Sequence, residues 1–324
     1  MTISKIPVWL DCDPGHDDMI AILLTAFHPN FNLLGISTTF GNSSLTNTTR
    51  NTLSILTIFQ KLNIPVFKGS SKPVIKEAKY APSIHGESGL AGTELPTPVI
   101  DISNPNDTDD ELTTFYNTLK KEIDQHIGEI SIVATGPLTN IGKFFLENPE
   151  YKSKVKFISI MGGGIEISNW GAGEFNTLCD PHATNYIFQD SILSPKTILL
   201  PIDVTHTAIL NSKVEKQLQS TSSNLRKFLY ELMEFFKETY KSQQAFIEGP
   251  PIHDPLAAIV LLEEYGFVDL GIESIRYNLT AVENGELEGK LNYFNDSNGV
   301  KVVTKLNIDK FWEIVLETVD IADQ

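Results

Sequence analysis

The sequence predicts an α/β fold. It reads as a single domain, residues 1–324, with a mostly parallel, doubly wound sheet flanked by helices and a small antiparallel appendix near the C-terminus. Short apolar, β-rich runs alternate with helical patterns over the first two-thirds of the chain, as crossover connections between parallel strands require. Polar or glycine-rich segments follow the carboxyl ends of those runs one after another. No internal repeat, low-complexity tract or linker interrupts the pattern, so one core serves the whole length.

Taken in order, IPVWL (6–10) reads as the first strand and DDMIAILLTAFH (17–28) as a largely buried helix. NLLGIST (32–38), IPVF (64–67), ISIVA (130–134), VKFISIM (155–161) and TILLPI (197–202) read as further strands. Helices are expected between them at 46–61, 109–126, 137–147 and 180–189. The last third is helical over 211–243 and 254–265, then alternates around Gly and Asn turns at 274–282, 289–295 and 299–305. Those three segments form the expected appendix, and a helix at 308–321 closes the chain. Strand 6–10 runs into DCDPGHDD, 32–38 into TFGN, 130–134 into TGPLTN, 155–161 into GGG and then GEFN, and 197–202 into DVTH. Open α/β sheets bind ligands outside the carboxyl ends of their strands, which directs all five segments to one crevice.

The charge balance is 25 Lys+Arg against 41 Asp+Glu, a net charge of −16 with pI near 4.8. Nucleic acid and anionic membranes both call for basic patches, so this balance argues against both as partners and for small neutral substrates or divalent cations. The two cysteines, Cys12 and Cys179, exclude a disulfide scaffold and a four-cysteine zinc site. The opening MTISKIPVWLDCDPG has no continuous apolar stretch of a signal peptide, and no run approaches the roughly 18 apolar residues of a membrane span. The expectation is a soluble cytoplasmic protein.

The segment DCDPGHDD holds the carboxylates Asp11, Asp13, Asp17 and Asp18 between strongly apolar elements. Pro14-Gly15 turns strand into helix and brings the two Asp pairs back toward each other. A helix first turn favours a negative charge by only roughly 0.3–1 kcal/mol. Two carboxylates about 4–5 Å apart repel by about 3–4 kcal/mol at an effective dielectric near 20. Either some are protonated or a cation sits among them, and oxygen donors without a nearby Cys or His pair indicate Ca²⁺ or Mg²⁺ over zinc. GPPIHDPLAAIVLL (249–262) adds a second acidic element, with Asp254 at an N-cap position before Pro255 and His253 beside it. Capping accounts for Asp254 and Pro255 but not for the histidine.

Other motifs fail on inspection. GPLTNIGKF (136–144) has five residues between its glycines and Phe144 where a phosphate-binding loop needs Ser or Thr. GGGIEI (162–167) lacks the third glycine of a dinucleotide fingerprint, and HGE (85–87) lacks the Pro-Cys-x-x-Cys partner of zinc deaminases. Asp11-Cys12-Asp13 is close to a haloacid-dehalogenase motif, but Gly15 stands where Thr or Val belongs.

DCDPGHDD, GN at 41–42, TGPLTN at 135–140, MGGG at 161–164, EFN at 174–176 and HDP at 253–255 together resemble the nucleoside hydrolases. Within that family the resemblance is to the inosine–uridine-preferring branch, its fungal uridine nucleosidases in particular. It implies a single α/β domain with Ca²⁺ bound by Asp13, Asp18, Asp254 and the backbone carbonyl of Thr135, the ribose 2′- and 3′-hydroxyls and a water completing the shell. By the same resemblance Asp17, Asn42, Asn169, Glu174 and Asn176 grip the ribose, and Met161 lies near it. Asp11 is read as a support and not a ligand.

Chemistry gives these roles sense. Cleaving an N-glycosidic bond develops positive charge on the sugar, which carboxylates favour. Ca²⁺ acidifies water less than Zn²⁺ does, so a base is needed, and Asp13 is the candidate. His253 is placed to help the departing base, with His85 as a second histidine near it. The segment 239–251 is expected to form a flap over the base, with Tyr240, Gln244 and Phe246 either touching it or packing in the core. The resulting expectation is Ca²⁺-dependent hydrolysis of a ribonucleoside to base and ribose, with uridine first and cytidine, inosine or nicotinamide riboside as further substrates. The family resemblance also implies a homo-oligomer, dimer or tetramer. A Mg²⁺-dependent phosphohydrolase would need Lys or Arg beside the phosphate, and Lys143 is the nearest to the motifs. A non-catalytic Ca²⁺- or nucleoside-binding protein would have lost the base or the ribose grip.

Overall fold

The computed structural model describes residues 4–99, 111–219 and 223–324. Its strands are β1 (Ile6–Cys12), β2 (Phe31–Thr38), β3 (Val66–Lys68), β4 (Ser131–Ala134), β5 (Phe157–Met161), β6 (Thr197–Leu200), β7 (Glu273–Ala281), β8 (Leu291–Asn295) and β9 (Val300–Lys305). They form one sheet in the order β3-β2-β1-β4-β5-β6-β9-β7-β8. The helices are α1 (Asp18–Phe27), α2 (Leu45–Ile58), α3 (Pro82–His85), α4 (Glu111–Gln125), α5 (Thr139–Glu147), α6 (Phe175–Cys179), α7 (Pro181–Phe188), α8 (Ile202–Thr205), α9 (Ser212–Leu218), α10 (Asn224–Gln244), α11 (Pro255–Glu264) and α12 (Ile308–Ala322).

The two-residue period of β1 sorts its side chains into two apolar layers. Val8, Leu10 and Cys12 join a core with α1, α10, α11 and α12, whereas Trp9 faces a second core built with α4, α5 and α7. Trp9 stacks on Phe67 and Phe115 at 5.5 and 5.8 Å and donates its Nε1–H to Ser37 Oγ at 2.9 Å. All seven residues of β1 are buried, as expected for a central strand covered on both faces. Helix α11 is buried from Pro255 through Leu262, so it runs through the core instead of lying on it.

The expected antiparallel strands are present near the C-terminus and are continuous with the main sheet. β7 and β8 pair antiparallel, but β9 pairs parallel with β6 and antiparallel with β7, so the three strands extend the main sheet. Lone hairpins are marginal in water, and docking on β6 removes that weakness. Strand β6 ends at Leu200, and Ile202–Thr205 turns into a helix behind Pro201. The single helical region expected at 211–243 is two helices, with 220–222 outside the described residues; positions 109–110 of the helix expected at 109–126 also lie outside them. The expected flap begins inside a helix: α10 continues through Gln244, where Ala245 takes a left-handed φ of 59° and donates its N–H to the Tyr240 carbonyl. Among the described residues no helix is long and apolar enough to cross a membrane.

Because α11 carries the second acidic element on a buried frame, truncating it should be costly. Leu261→Ala, at a fully buried position, is expected to lower unfolding free energy by about 2–5 kcal/mol in denaturant titration. A loss under about 1 kcal/mol would mean that α11 is not the packed centre of this layer.

Candidate active site

Strands β2, β1, β4, β5 and β6 are neighbours and parallel, so their carboxyl ends share one edge. The chain first builds outward from β1 to β2 and β3, then returns to build β4, β5 and β6 on the other side. That switch between β1 and β4 opens a crevice, flanked by Asp13–Asp17 after β1 and Thr135–Leu138 after β4.

A pocket lies there, lined by Asp17, Asn42, His85, Thr135, Met161, Asn169, Glu174, Asn176, His253 and Asp254 among others. Of the residues named from sequence, Asp13 and Asp18 do not line this pocket, and both are fully buried. Asp18 accepts hydrogen bonds from the Gly15 N–H at 2.9 Å, Asn42 Nδ2 at 3.1 Å and Thr135 Oγ1 at 2.7 Å. Asp13 accepts the Asn42 backbone N–H on Oδ2 at 2.7 Å, while its buried Oδ1 has no partner among the described residues. Glycine makes room for this carboxylate: a Cβ at Gly41 would stand 2.1 Å from Asp13 Oδ2, and one at Gly136 2.5 Å from Oδ1.

Asp17, Asp18 and Asp254 bring carboxylate oxygens within 4.8 Å of one another. The sequence reading gave Asp17 to the sugar and Asp13 to the ion; the structure seats Asp17 inside the cluster and Asp13 next to it. Neither Asp17 nor Asp254 makes a side-chain capping bond at its helix start, so capping does not account for either carboxylate. Burial, reinforced by neighbouring carboxylates, pushes Asp13 and Asp254 well above the usual carboxylate range and Asp17 up to about 7. Asp18 is raised mainly by burial. Among the described residues no Lys or Arg pairs with any of the four. An orphaned buried oxygen, three converging carboxylates and no basic partner fit a hard divalent cation.

Asp11 stands apart. It accepts from Ser37 Oγ and, at 2.8 Å, from Asn140 Nδ2, and burial raises it to about 7. Asn140 also donates to the Thr38 carbonyl at 3.1 Å and accepts the Ser70 N–H at 2.7 Å, tying β1, β2 and the loop after β3 together. Asn140 lies in the TGPLTN motif, and its separation from Asp11 along the chain carries no signal of the contact.

Opposite the acids, Glu174 caps α6 by accepting N–H groups from Asn176 and Thr177, and it also accepts that of Gly163, at 2.8, 3.0 and 2.7 Å. Asn176 Nδ2 donates to the Thr135 carbonyl at 2.8 Å, beside Met161 Sδ at 3.6 Å. The buried Oδ1 of Asn169 has no partner among the described residues, leaving an acceptor for a ligand hydroxyl. Trp170 also lines the pocket.

His253 is less free than the sequence reading supposed. Its Nδ1 meets Thr205 Oγ1 at 2.7 Å and its Nε2 meets the Tyr240 hydroxyl at 3.0 Å, while its backbone N–H donates to Asp17 at 3.2 Å. Tyr240 and Gln244 line the pocket. Phe246 packs against Tyr240 and His206. Thr205 and His206, from the DVTH segment after β6, were placed near the crevice only as a segment; the histidine rings of 206 and 253 lie 5.3 Å apart. His85 contacts His16, and burial holds His16 down at about 4 and His85 well below the usual imidazole range.

A doubly wound sheet with a carboxylate-floored pocket at its switch point defines an α/β enzyme acting on a small polar ligand. The chain belongs to the inosine-uridine preferring nucleoside hydrolase family, whose model matches residues 8–313. It is 44% identical over 342 residues to a uridine nucleosidase of Saccharomyces cerevisiae, covering 100% of this chain and 98% of that one. It is 36% identical over 259 residues to a pyrimidine-specific ribonucleoside hydrolase of Escherichia coli, covering 80% of each. In fold it is similar to a purine-preferring ribonucleoside hydrolase from Gardnerella vaginalis, with a TM-score of 0.85, 24% identity and coverage of 98% and 99%.

The raised carboxylates set a sign for stability. Asp17 moves from 3.8 to about 7 on folding, so its contribution is complete below the unfolded value and lost as pH rises through the folded one. A cation binding only the folded state offsets that loss. The melting-temperature gap between calcium-supplemented and chelated protein should therefore widen between about pH 6 and about pH 8. A gap that narrows over that range, or no gap, would contradict a cation among these carboxylates.

Proposed function

We propose that this protein hydrolyses the N-glycosidic bond of ribonucleosides, uridine first and cytidine, inosine or nicotinamide riboside after it, with Ca²⁺ as cofactor and in nucleoside salvage. One observation carries the reading: the buried acid cluster forms the floor of a pocket whose walls, Asn42, Asn169, Glu174 and Asn176, offer polar groups to a sugar. The similarity to a uridine nucleosidase and to a pyrimidine-specific hydrolase supports the pyrimidine preference. A homo-oligomer, dimer or tetramer, in the cytoplasm belongs to the same reading.

Asp13, Asp18, Asp254 and the Thr135 carbonyl would hold the ion, with Asp17, inside the same cluster, able to share it or the sugar hydroxyls. Bound there, Ca²⁺ supplies positive charge that orients the ribose diol and eases deprotonation of a water. Asp13 accepts that proton on Oδ1, its oxygen without a protein partner. The water oxygen bonds to C1′ as the C1′–N bond breaks, and the bonding pair leaves with the base. Glu174 and the acid cluster favour the positive charge that builds on the ribose. Tyr240 donates its hydroxyl proton to the departing base, its phenol ring held in place by the 3.0 Å contact with His253 Nε2 and by Thr205 on His253 Nδ1, and water returns a proton to the phenolate once the products leave. Burial and the nearby carboxylates keep the phenol protonated.

The alternative phosphohydrolase lacks support at the site, where Lys143 does not line the pocket. Uridine cleavage abolished by chelator and restored by calcium, with no phosphatase activity, is the expected outcome. Phosphate release in place of uridine cleavage would overturn the reading. Asp13→Ala should keep its fold by circular dichroism and lose about 10³-fold or more in kcat. Tyr240→Phe should lose about 10²-fold on uridine yet little on p-nitrophenyl riboside, whose leaving group needs no proton. Equal losses on the two substrates would remove Tyr240 from leaving-group assistance.

A further inference from the structure

His16 sits in the acidic turn, yet its ring points away from the carboxylates. It stacks on Phe236, Phe235 and His85 at centroid distances of 4.9, 5.3 and 5.3 Å. Its Nε2 lies 2.7 Å from the Ala91 carbonyl oxygen, and its Nδ1 lies 3.1 Å from Nδ1 of His85. Gly15 permits this approach, since a Cβ there would stand 2.5 Å from His85 Nδ1. Neither the ion ligands nor the leaving-group donor uses His16.

The contacts dictate where the protons are. A carbonyl oxygen only accepts, so His16 carries its proton on Nε2. A neutral imidazole has one N–H, which leaves His16 Nδ1 a bare acceptor. A second proton would put a cation within an aromatic stack with no carboxylate on either ring nitrogen. Two nitrogens 3.1 Å apart need one proton between them, and it must therefore sit on His85 Nδ1. The His16 backbone N–H also faces that atom, but at 3.4 Å it is the longer contact, and satisfying it instead would set two bare lone pairs against each other. Neutral His85 is then unprotonated at Nε2, which meets no hydrogen-bond partner among the described residues, and His85 lines the pocket.

We propose that His16 is a positioning residue that locks His85 in its Nδ1–H tautomer, making the pocket-facing Nε2 an acceptor that selects nucleobases presenting a ring N–H. The selection rests on the nucleoside-hydrolase reading; the tautomer does not. A uracil-type imide N–H meets the requirement, whereas an N-methylated imide offers nothing to donate and leaves Nε2 unpaired. His85 in this state accepts from the base and does not protonate it, which leaves leaving-group protonation to Tyr240.

Two measurements test this on the full chain with calcium supplied. Long-range ¹H–¹⁵N correlation spectra, with His85 assigned by its loss in His85→Gln, should show the proton on Nδ1. A proton on Nε2 in the unmutated protein overturns the proposal, whatever the activity. Kinetically, kcat/KM should favour uridine over 3-methyluridine by about 10-fold or more. His16→Gln retains a donor for Ala91 but deletes the Nδ1 acceptor, so this preference should shrink through loss on uridine alone. His16→Asn, whose amide oxygen matches Nδ1, should recover it. An undiminished preference in His16→Gln would refute the selection, as would equal cleavage of both nucleosides by the unmutated protein. If neither nucleoside is cleaved, the hydrolase reading fails while the spectrum still judges the tautomer.

Discussion

Four buried carboxylates without a basic partner are the constraint around which this protein is organised. Asp13, Asp17, Asp18 and Asp254 come from the turn after β1 and the start of α11, and no Lys or Arg among the described residues neutralises them. Leaving such charges together in a low-dielectric interior costs several kcal/mol, more than helix dipoles return. Folding tolerates them because hydrogen-bond donors surround them, from Asn42, Thr135, Gly15 and His253, and because a cation can share the remaining oxygens.

The sheet turns that local problem into a site. Central β1 is locked to β2 and β4 by parallel pairing and by the Trp9–Ser37–Asp11–Asn140 chain of hydrogen bonds. That chain sits directly behind the acidic turn, so the turn rests on a rigid element, as a site requiring sub-ångström placement must. On the far wall, Glu174 organises the start of α6 and Asn176 ties it to the Thr135 carbonyl. The base end is built differently, from rings: His85 on His16, and Tyr240 on His253 on Thr205. Under the proposed function, the charged floor would meet sugar and ion, and the polar aromatic rim would meet the base.

Much of this was legible from residue order because its signals are local. The apolar alternation around 6–38 and 130–161, the Pro14-Gly15 turn and the buried run after Pro255 each encode their element within a few residues. Membership in the family was readable from six short motifs in series, and the family match over residues 8–313 agrees. What was not legible is set by tertiary contact. β9 joins β6 in parallel although it looks like the third strand of a meander, because pairing partners distant in sequence leave no periodic trace. Sequence assigns Asp17 to the sugar, and its place within 4.8 Å of carboxylate oxygens of Asp18 and Asp254 carries no signal in residue order, because Asp254 is brought there by tertiary packing. The contacts of His253 with Thr205 and Tyr240 leave no trace in residue order because those partners lie 48 and 13 positions away on separate helices, and the segment 239–251 reads as a flap although Tyr240 lies inside α10.

The proposed function turns on one cation that would join the first turn to the late helix. Crystals grown with calcium and measured for anomalous scattering test it most directly. A single strong peak about 2.3–2.6 Å from carboxylate oxygens of Asp18 and Asp254 is the predicted result. A map with no peak among these carboxylates at saturating calcium, or with the ion held by other residues, would contradict it.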